Sequence, residues 1–380
     1  MEVSLDDPGA RRQLDQFLQF PAAYARQALG YSEALGVPPD RVARAADTVA
    51  AAAHGRTAEP GFAQFLAGAV PPVDGLRRPR PAPLIIRDWT FVWGARTHVM
   101  AILNVTDDSF AGDGVGSDEA AIRARVEDAV AGGADIIDIG GESTRPGAAQ
   151  VSAEEELERV LPAIAIAREI TQLPLSIDTY KAEVARQALA AGADMVNDVH
   201  GASADPAMAG TVAAAGCPLV IMHNRPASPA HGELGGHFAD VEYGDVVAEV
   251  HAQLSDLLDA AVAAGIPLGH LIVDPGIGFG KTPPQNVELL GRLEIFNGLG
   301  QPLLLGVSHK SVIGHALGDG AADRGAGSIA ANLAGIAQGV DILRVHDVVP
   351  TVQAARVMDA ILTRPVQPDP APDRSLPAIE

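Results

Sequence analysis

The chain has 380 residues, 47% of them hydrophobic and 20% charged, with a mean hydropathy of +0.14; that is material for a large packed core and excludes a disordered chain. A formal charge of −21 and a pI near 4.8 turn most of the surface against a phosphate backbone, so no nucleic acid and no anionic membrane is expected as partner, and a small-molecule role becomes the default. A single cysteine, Cys217, excludes an internal disulfide and any cysteine-cluster metal site and fits a reducing compartment.

The first residues, MEVSLDDPGA, open acidic, and no apolar run reaches the ~18 residues of a membrane helix; a cytoplasmic location is expected. Residues 1–80 carry nine acidic and nine basic side chains and contain no convincing strand. They read as helices over roughly 11–20, 22–35, 40–54 and 61–68. Val42, Ala46, Val49 and Ala53 recur at helical spacing behind Asp40 as N-cap, and Gly36 stands where a C-cap glycine would end the preceding helix. The Pro- and Arg-rich stretch VPPVDGLRRPRPAP (70–83) breaks helix and strand alike and reads as a linker. We therefore expect a helical module over 1–80, a main domain over 81–364, and a disordered tail over 365–380, where five prolines leave little to pack.

From residue 84 the pattern changes. LIIRDWTFVWGART (84–97) resembles a β-hairpin that would cap one end of the domain, its turn falling at Arg87-Asp88 or at Trp93-Gly94. Eight short apolar runs follow, separated by helix-length amphipathic stretches: HVMAILN (98–104), ADIIDIG (134–140), LPLSID (173–178), MVND (195–198), PLVIMH (218–223), LIVD (271–274), PLLLGVS (302–308) and ILRVHD (342–347). Continuous apolar runs alternating with helices imply parallel strands buried on both faces. Eight such units close naturally into a (β/α)8 TIM barrel, an α/β fold, with a doubly wound open sheet as the alternative. Nearly every run ends on, or just past, a polar functional group: Asn104, Asp138, Asp178, Asn197, His223, Asp274, Lys310, and Arg344 with His346. In a barrel those ends face one rim, where active sites lie.

Only three lysines occur, Lys181, Lys281 and Lys310, each a few residues past a strand end. A lysine is ordinarily a solvated surface charge, but three at one rim weaken that reading. Arg344 and His346 stand two apart, so both side chains point to the same side and can meet one anion; an ion pair with Asp347 or a neighbouring carboxylate is the competing explanation. With Arg145 they make a cationic patch on an acidic protein, as an anionic substrate requires. Opposite them, Asp178, Asn197 and Asp274 offer acceptors to a heterocycle rich in N–H groups, and the two carboxylates can also stabilise a cation formed during reaction. A lone Asp at a strand end often caps the next helix, whereas three polar ends together favour a site. PGIGFGKT (275–282) misses a phosphate loop by one residue, since Pro275 stands where glycine is needed; His223-Asn224 lacks a second zinc histidine, and Ser143 and Ser308 lack a GxSxG elbow.

The segments AILNVTDDSF, DIIDIGGESTRPGA, LSIDTYK, MVNDV, IMHNR, VDPGIGFGKT, GVSHKSVIG and RVHDV resemble, in order and spacing, the signature blocks of the dihydropteroate synthase family, over about residues 84–362. The resemblance implies a pterin-binding TIM barrel, a transferase of folate biosynthesis that joins (7,8-dihydropterin-6-yl)methyl pyrophosphate to 4-aminobenzoate and releases pyrophosphate. By matching motif it implies that Asp178, Asn197, Asp274 and Lys310 hold the pterin, with Asp138 in support and Met222 lining the pocket. It further implies that Asn104 ligates Mg2+ on the pyrophosphate, that Arg145, Arg344 and His346 hold the pyrophosphate oxygens, and that Phe110, Thr144, Pro146, Phe279 and Ser311 surround 4-aminobenzoate. A homodimer and sulfonamide sensitivity are implied in the same way. Three positions depart from the family pattern: Asp107 replaces proline in TPDSF, His309 replaces arginine in SRK, and Val312 stands where a larger residue, often Phe, follows the serine. The competing readings are a pterin-binding paralogue without catalysis or with altered specificity, and a corrinoid-dependent pterin methyltransferase, against which GVSHKS and RVHDV argue.

Overall fold

The computed structural model describes residues 81–106, 116, 118–143, 150–225, 242–318 and 323–362. The helices expected over 1–80, the tail over 365–380, and Asp107, Phe110, Thr144, Arg145 and Pro146 lie outside the described residues.

The described chain opens on a hairpin, β1 (Leu84–Ile86) and β2 (Trp89–Phe91), paired antiparallel with Ile86 opposite Trp89. Of the two turns the sequence allows, the chain uses Arg87-Asp88, and Arg87 takes the left-handed conformation a tight turn needs, at φ 55°. Seven strand–helix units and a closing strand with its helix follow: β3 (His98–Asn104), α1 (Glu119–Gly132), β4 (Ile136–Gly140), α2 (Ala153–Ile170), β5 (Leu175–Asp178), α3 (Ala182–Ala191), β6 (Met195–Asp198), α4 (Met208–Ala215), β7 (Leu219–Met222), α5 (Val246–Ala263), β8 (Leu271–Asp274), α6 (Pro283–Leu290), β9 (Leu304–Leu305), α7 (Ser311–Ala316), α8 (Gly325–Ala337), β10 (Ile342–Val345) and α9 (Val348–Ile361).

The strands pair in parallel in the order β8-β7-β6-β5-β4-β3-β10-β9. A bridge between Val273 of β8 and Leu303, just ahead of β9, joins the two ends, with Val273 N donating to Pro302 O at 2.9 Å. The sheet is therefore a barrel, and the open doubly wound alternative is excluded. Strands this short stand because nearly every residue in them is buried, so apolar burial on both faces does the work that length does elsewhere. Helices α1, α2 and α5 start on side-chain caps: Asp118 accepts from Ala120 N, Ser152 from Glu155 N and Asp245 from Ala248 N.

The two mouths of the barrel differ. At the N-terminal ends of the strands, Leu84, Ile86, Phe91 and Trp93 of the hairpin form one core with Met100, Ile136, Met195, Val220, Ile272, Leu304 and Ile342, one residue from each of seven strands. The hairpin is a stopper. Thr97 ties its exit to α9, donating through N and Oγ1 to Asp359 at 2.7 and 2.9 Å, and Arg96 grips Asp135 with two bonds of 2.8 and 2.6 Å. The opposite rim is left for the polar strand ends.

Candidate active site

At that rim, parallel register sets Asp138 of β4, Asp178 at the end of β5 and Asn197 of β6 on neighbouring strands. Asp138 is fully buried; its Oδ2 accepts from Asn197 Nδ2 at 3.0 Å and from Arg344 Nε at 2.6 Å. Its other oxygen, Oδ1, is buried with no hydrogen-bond donor from the described residues, an arrangement costly unless a donor arrives from elsewhere. Arg344, crossing from β10, also donates through Nη2 to Asp178 Oδ2 at 2.5 Å. Burial works against the Arg344 charge, yet Asp138 and Asp178 hold the guanidinium above its ordinary value. Burial likewise pushes the Asp178 carboxyl up to about 7, with Arg344 opposing the rise and Asp138 adding to it.

The other wall comes from β8 and the segment after β9. Asp274 ends β8; its Oδ1 accepts from Gly276 N at 2.7 Å, and burial raises its carboxyl against the pull of Lys310. Lys310 Nζ donates to Ile277 O and lies 4.4 Å above the Phe279 ring. Burial lowers Lys310 to about 8, with Asp274 as the attraction that sustains its charge. Phe279 packs with Val199 and Met222 in a small apolar patch flanked by Tyr180. The rim thus holds carboxylates and an amide on one side, an ammonium on the other and an apolar wall between, which suits a flat heterocycle with N–H edges and a polar ring carbonyl.

Asn104 ends β3 opposite Gly140, and a Cβ on Gly140 would lie in ordinary contact with both Asn104 Oδ1, at 3.6 Å, and Asp178 Cβ, at 3.5 Å. His346, just past β10, has its Nδ1 3.0 Å from Ser308 Oγ and lies edge-on against His309 at 5.4 Å. His309 takes φ 57° and places Nε2 2.7 Å from Asp347 Oδ2. The ion pair weighed for Arg344 therefore exists, but with Asp138 and Asp178; Asp347 pairs with His309 instead. Ser311 is exposed at the first position of α7.

Residues 100–346 match the family model described as "Pterin binding enzyme". The chain is 44% identical over 282 residues to the dihydropteroate synthase of Synechocystis sp., covering 74% of this chain and 96% of that protein. The chain belongs to the dihydropteroate synthase family. Among solved structures it is similar to Xanthomonas albilineans dihydropteroate synthase with 4-aminobenzoic acid, at 43% identity and TM-score 0.64 over 74% of this chain and 99% of that one. A second is Yersinia pestis dihydropteroate synthase in a sulfonamide complex, at 35% identity and TM-score 0.68 over 74% and 99%.

The dihydropteroate synthase barrel brings Asp138, Asp178, Asn197, Asp274, Lys310 and Arg344 together, with Met222 and Phe279 beside them. The three lysines part company here. Lys310 faces Asp274, whereas Lys181 bonds Glu142 at 2.6 Å and Glu156 at 2.5 Å, and Lys281 is buried among carbonyls. Sequence reasoning missed Glu142, although it lies inside GGEST. Its Oε1 accepts from Val151 N and Tyr180 Oη, each at 3.3 Å, so one carboxylate joins residues on both sides of 144–149 to the segment after β5. Two further buried groups also escaped it: Asp198, raised to about 7 by burial although it accepts from His200 N and Ala202 N, and Asn286, which reaches back from α6 to Gly278 N at 2.7 Å. The residue types gave no cue: Glu142 acts through Tyr180 and Lys181, distant in sequence, and Asp198 and Asn286 act on nearby backbone groups that only the folded turns bring round to them. No helix among the described residues is long and apolar enough to cross a membrane.

Proposed function

We infer that this chain joins (7,8-dihydropterin-6-yl)methyl pyrophosphate to 4-aminobenzoate, giving 7,8-dihydropteroate and pyrophosphate. The observation that carries this reading is the convergence of Asp138, Asp178, Asn197, Asp274 and Lys310 at one rim of the barrel, bridged by Arg344. There the pterin lies against the carboxylates and Asn197, donating N–H groups to Asp138 Oδ1, Asp178 and Asp274, while Lys310 donates to a pterin acceptor. Met222 and Phe279 cover the ring faces. Scission of the C–O bond to the diphosphate leaves positive charge on the pterin methylene, which the fixed carboxylates of Asp178 and Asp274 stabilise. The arylamine then forms the C–N bond and loses one proton to solvent.

Arg344 and His346, with Arg145, bind the diphosphate in this reading; Arg344 then exchanges part of its hold on Asp138 and Asp178 for phosphate oxygens. Phe110, Thr144, Pro146, Phe279 and Ser311 receive 4-aminobenzoate, whose carboxylate sits by Ser311 at the start of α7. Among the described residues no group of three or more His, Cys, Asp or Glu converges on a metal cage. The neutral amide oxygen of Asn104 instead suits Mg2+ carried on the diphosphate, since that ion keeps its waters and takes phosphate oxygens readily. When bound, it neutralises charge on the leaving group.

Purified chain given both substrates and Mg2+ should release pyrophosphate and form 7,8-dihydropteroate in equal amounts. Pterin binding without turnover would instead establish a paralogue that binds and does not catalyse. The proposal extends to a homodimer, which sizing in solution tests, and to residues 1–80 as a helical module, whose deletion with sizing and assay tests any part in assembly.

A further inference from the structure

Lys281 is among the largest fully buried side chains of the described residues, and the one charged residue type in that group. Burial lowers its amino group to about 7, with Asp274 opposing the fall, and each N–H that the group carries needs an acceptor. Nζ lies 2.9 Å from Gly276 O, 2.9 Å from Phe279 O and 3.0 Å from His223 Nδ1, with His223 O at 3.4 Å. Gln253 Oε1 sits 2.9 Å from the other ring nitrogen of His223. An amide oxygen only accepts, so Nε2 carries the His223 proton and Nδ1 receives one from Lys281. Burial, then the Lys281 charge, drives His223 down to about 3, which keeps the ring neutral.

The loop around this ammonium is the one that fell one residue short of a phosphate loop. A phosphate loop turns N–H groups inward upon an anion. Here carbonyls turn inward upon a cation. Three left-handed glycines permit it, Gly276, Gly278 and Gly280 at φ 69°, 85° and 58°. The backbone also packs so closely on the segment after β7 that a Cβ on Gly276 would lie 1.9 Å from His223 O, and one on Gly280 2.3 Å from Arg225 O.

The opposite face of the same loop carries Lys310. Ile277 O accepts from Lys310 Nζ, the Phe279 ring lies 4.4 Å below that nitrogen, and a Cβ on Gly278 would come within 3.0 Å of Lys310 Cδ. One loop is therefore held between two ammonium groups: Gly276 O and Phe279 O face Lys281 beneath, while Ile277 O and the Phe279 ring face Lys310 above. We propose that Lys281 is a positioning residue for Lys310, fixing the loop from below so that Ile277 O and the Phe279 ring hold the Lys310 ammonium beside Asp274. This rests on the assignment of Lys310 to the pterin. Asn286, bonded to Gly278 N at 2.7 Å and to Lys281 O at 3.2 Å, pins the far end of the loop.

The test is a double-mutant cycle on the full chain, reading the dissociation constant of (7,8-dihydropterin-6-yl)methyl pyrophosphate with Mg2+ and no aminobenzoate. Lys281→Met should weaken binding at least about tenfold when Lys310 is present and less than about threefold in the Lys310→Met background, because residues acting through one another do not add. Lys281→Gln, which keeps two N–H donors, should fall between wild type and Lys281→Met; if the methionine variant does not fold, the glutamine variant carries the cycle. Equal-fold losses in both backgrounds would show a general packing role and overturn the proposal, as would unchanged binding with Lys310 present. A wild-type chain that fails to bind this pterin at all overturns the site assignment itself, and the proposal with it.

Discussion

Arg344→Met removes the one cation that bridges Asp138 and Asp178, and its cost can be worked from the two bonds it breaks. Both are charge-assisted, at 2.6 and 2.5 Å, between groups largely or wholly shielded from water. Leaving a buried carboxylate without its partner costs about 3–5 kcal/mol, and Asp138 Oδ2 keeps only Asn197. Part of that cost is recovered by protonation. The Asp178 carboxyl sits near 7 in the folded chain against an ordinary 3.8, so the folded state takes up a proton between those values and stability falls as pH rises through that window. Without Arg344 the carboxyl moves higher still, and the decline continues above pH 7. The variant should therefore lose about 3–5 kcal/mol at pH 8 and distinctly less at pH 6, where Asp178 is protonated. At roughly 2–4 °C per kcal/mol for a domain of this size, the melting temperature at pH 8 should drop by about 6 °C or more. Thermal unfolding of wild type, Arg344→Met and Arg344→Lys at the two pH values reads this directly, the lysine variant keeping the charge but not the two-pronged geometry. A melting temperature within a degree of wild type at both pH values would refute the bridging role.

Four further outcomes follow from the same structure. Lys310→Ala should abolish turnover while circular dichroism and melting temperature stay near wild type; near-full activity would sink the pterin assignment. His98 is buried against Phe91 and Trp93 and burial lowers it to about 4, with Asp135 opposing; the unfolded chain binds that proton from about 6.5 downward, so stability should fall as pH drops from 6.5 to 4, and His98→Phe should flatten that limb of a urea-unfolding series. Cys217 is buried with its thiol raised to about 11 by burial, so it should react with a thiol reagent only on unfolding; a rapid reaction of native protein would contradict that environment. A sulfonamide should inhibit competitively with 4-aminobenzoate in initial-rate assays, and an uncompetitive pattern would argue against Ser311 and Phe279 as its subsite.

Most of the architecture was legible because a buried parallel strand leaves a continuous apolar run, and seven of the eight barrel strands lie within two residues of their runs at both ends. PLLLGVS is the informative exception. Only Leu304 and Leu305 pair, because the chain turns away at once, Lys310 N donating to Val307 O at 3.2 Å to aim Lys310 inward. The hairpin turn was ambiguous for a different reason: the chain turns at Gly94 as well, at φ 73° with Ala95 N donating to Val92 O at 3.1 Å, but that turn follows the hairpin and serves to carry Trp93 into the barrel core, its indole N–H donating to Ala82 O at 3.1 Å. At the site, the polar strand ends announced Asp138, Asp178, Asn197 and Asp274, whose roles depend on position along a strand. The division of labour among the lysines was not legible. Nothing within LSIDTYK says that its ammonium ends between Glu142 and Glu156, which arrive from the preceding unit of the barrel, and nothing within GFGKT says that its own loop curls back so that Gly276 O and Phe279 O meet Lys281 together with His223 from the segment after β7.

The hairpin stopper bears on the order of events. A barrel shut at its floor by Leu84, Ile86, Phe91 and Trp93 is a vessel with one mouth. Whatever sits deepest must enter first and leave last. In the proposed reading the pterin lies on buried Asp138 and Asn197, while aminobenzoate meets exposed Ser311 at the lip. Traffic through that single opening favours loading of the pterin before its partner, and traps the pterin end of the product until the lip has cleared.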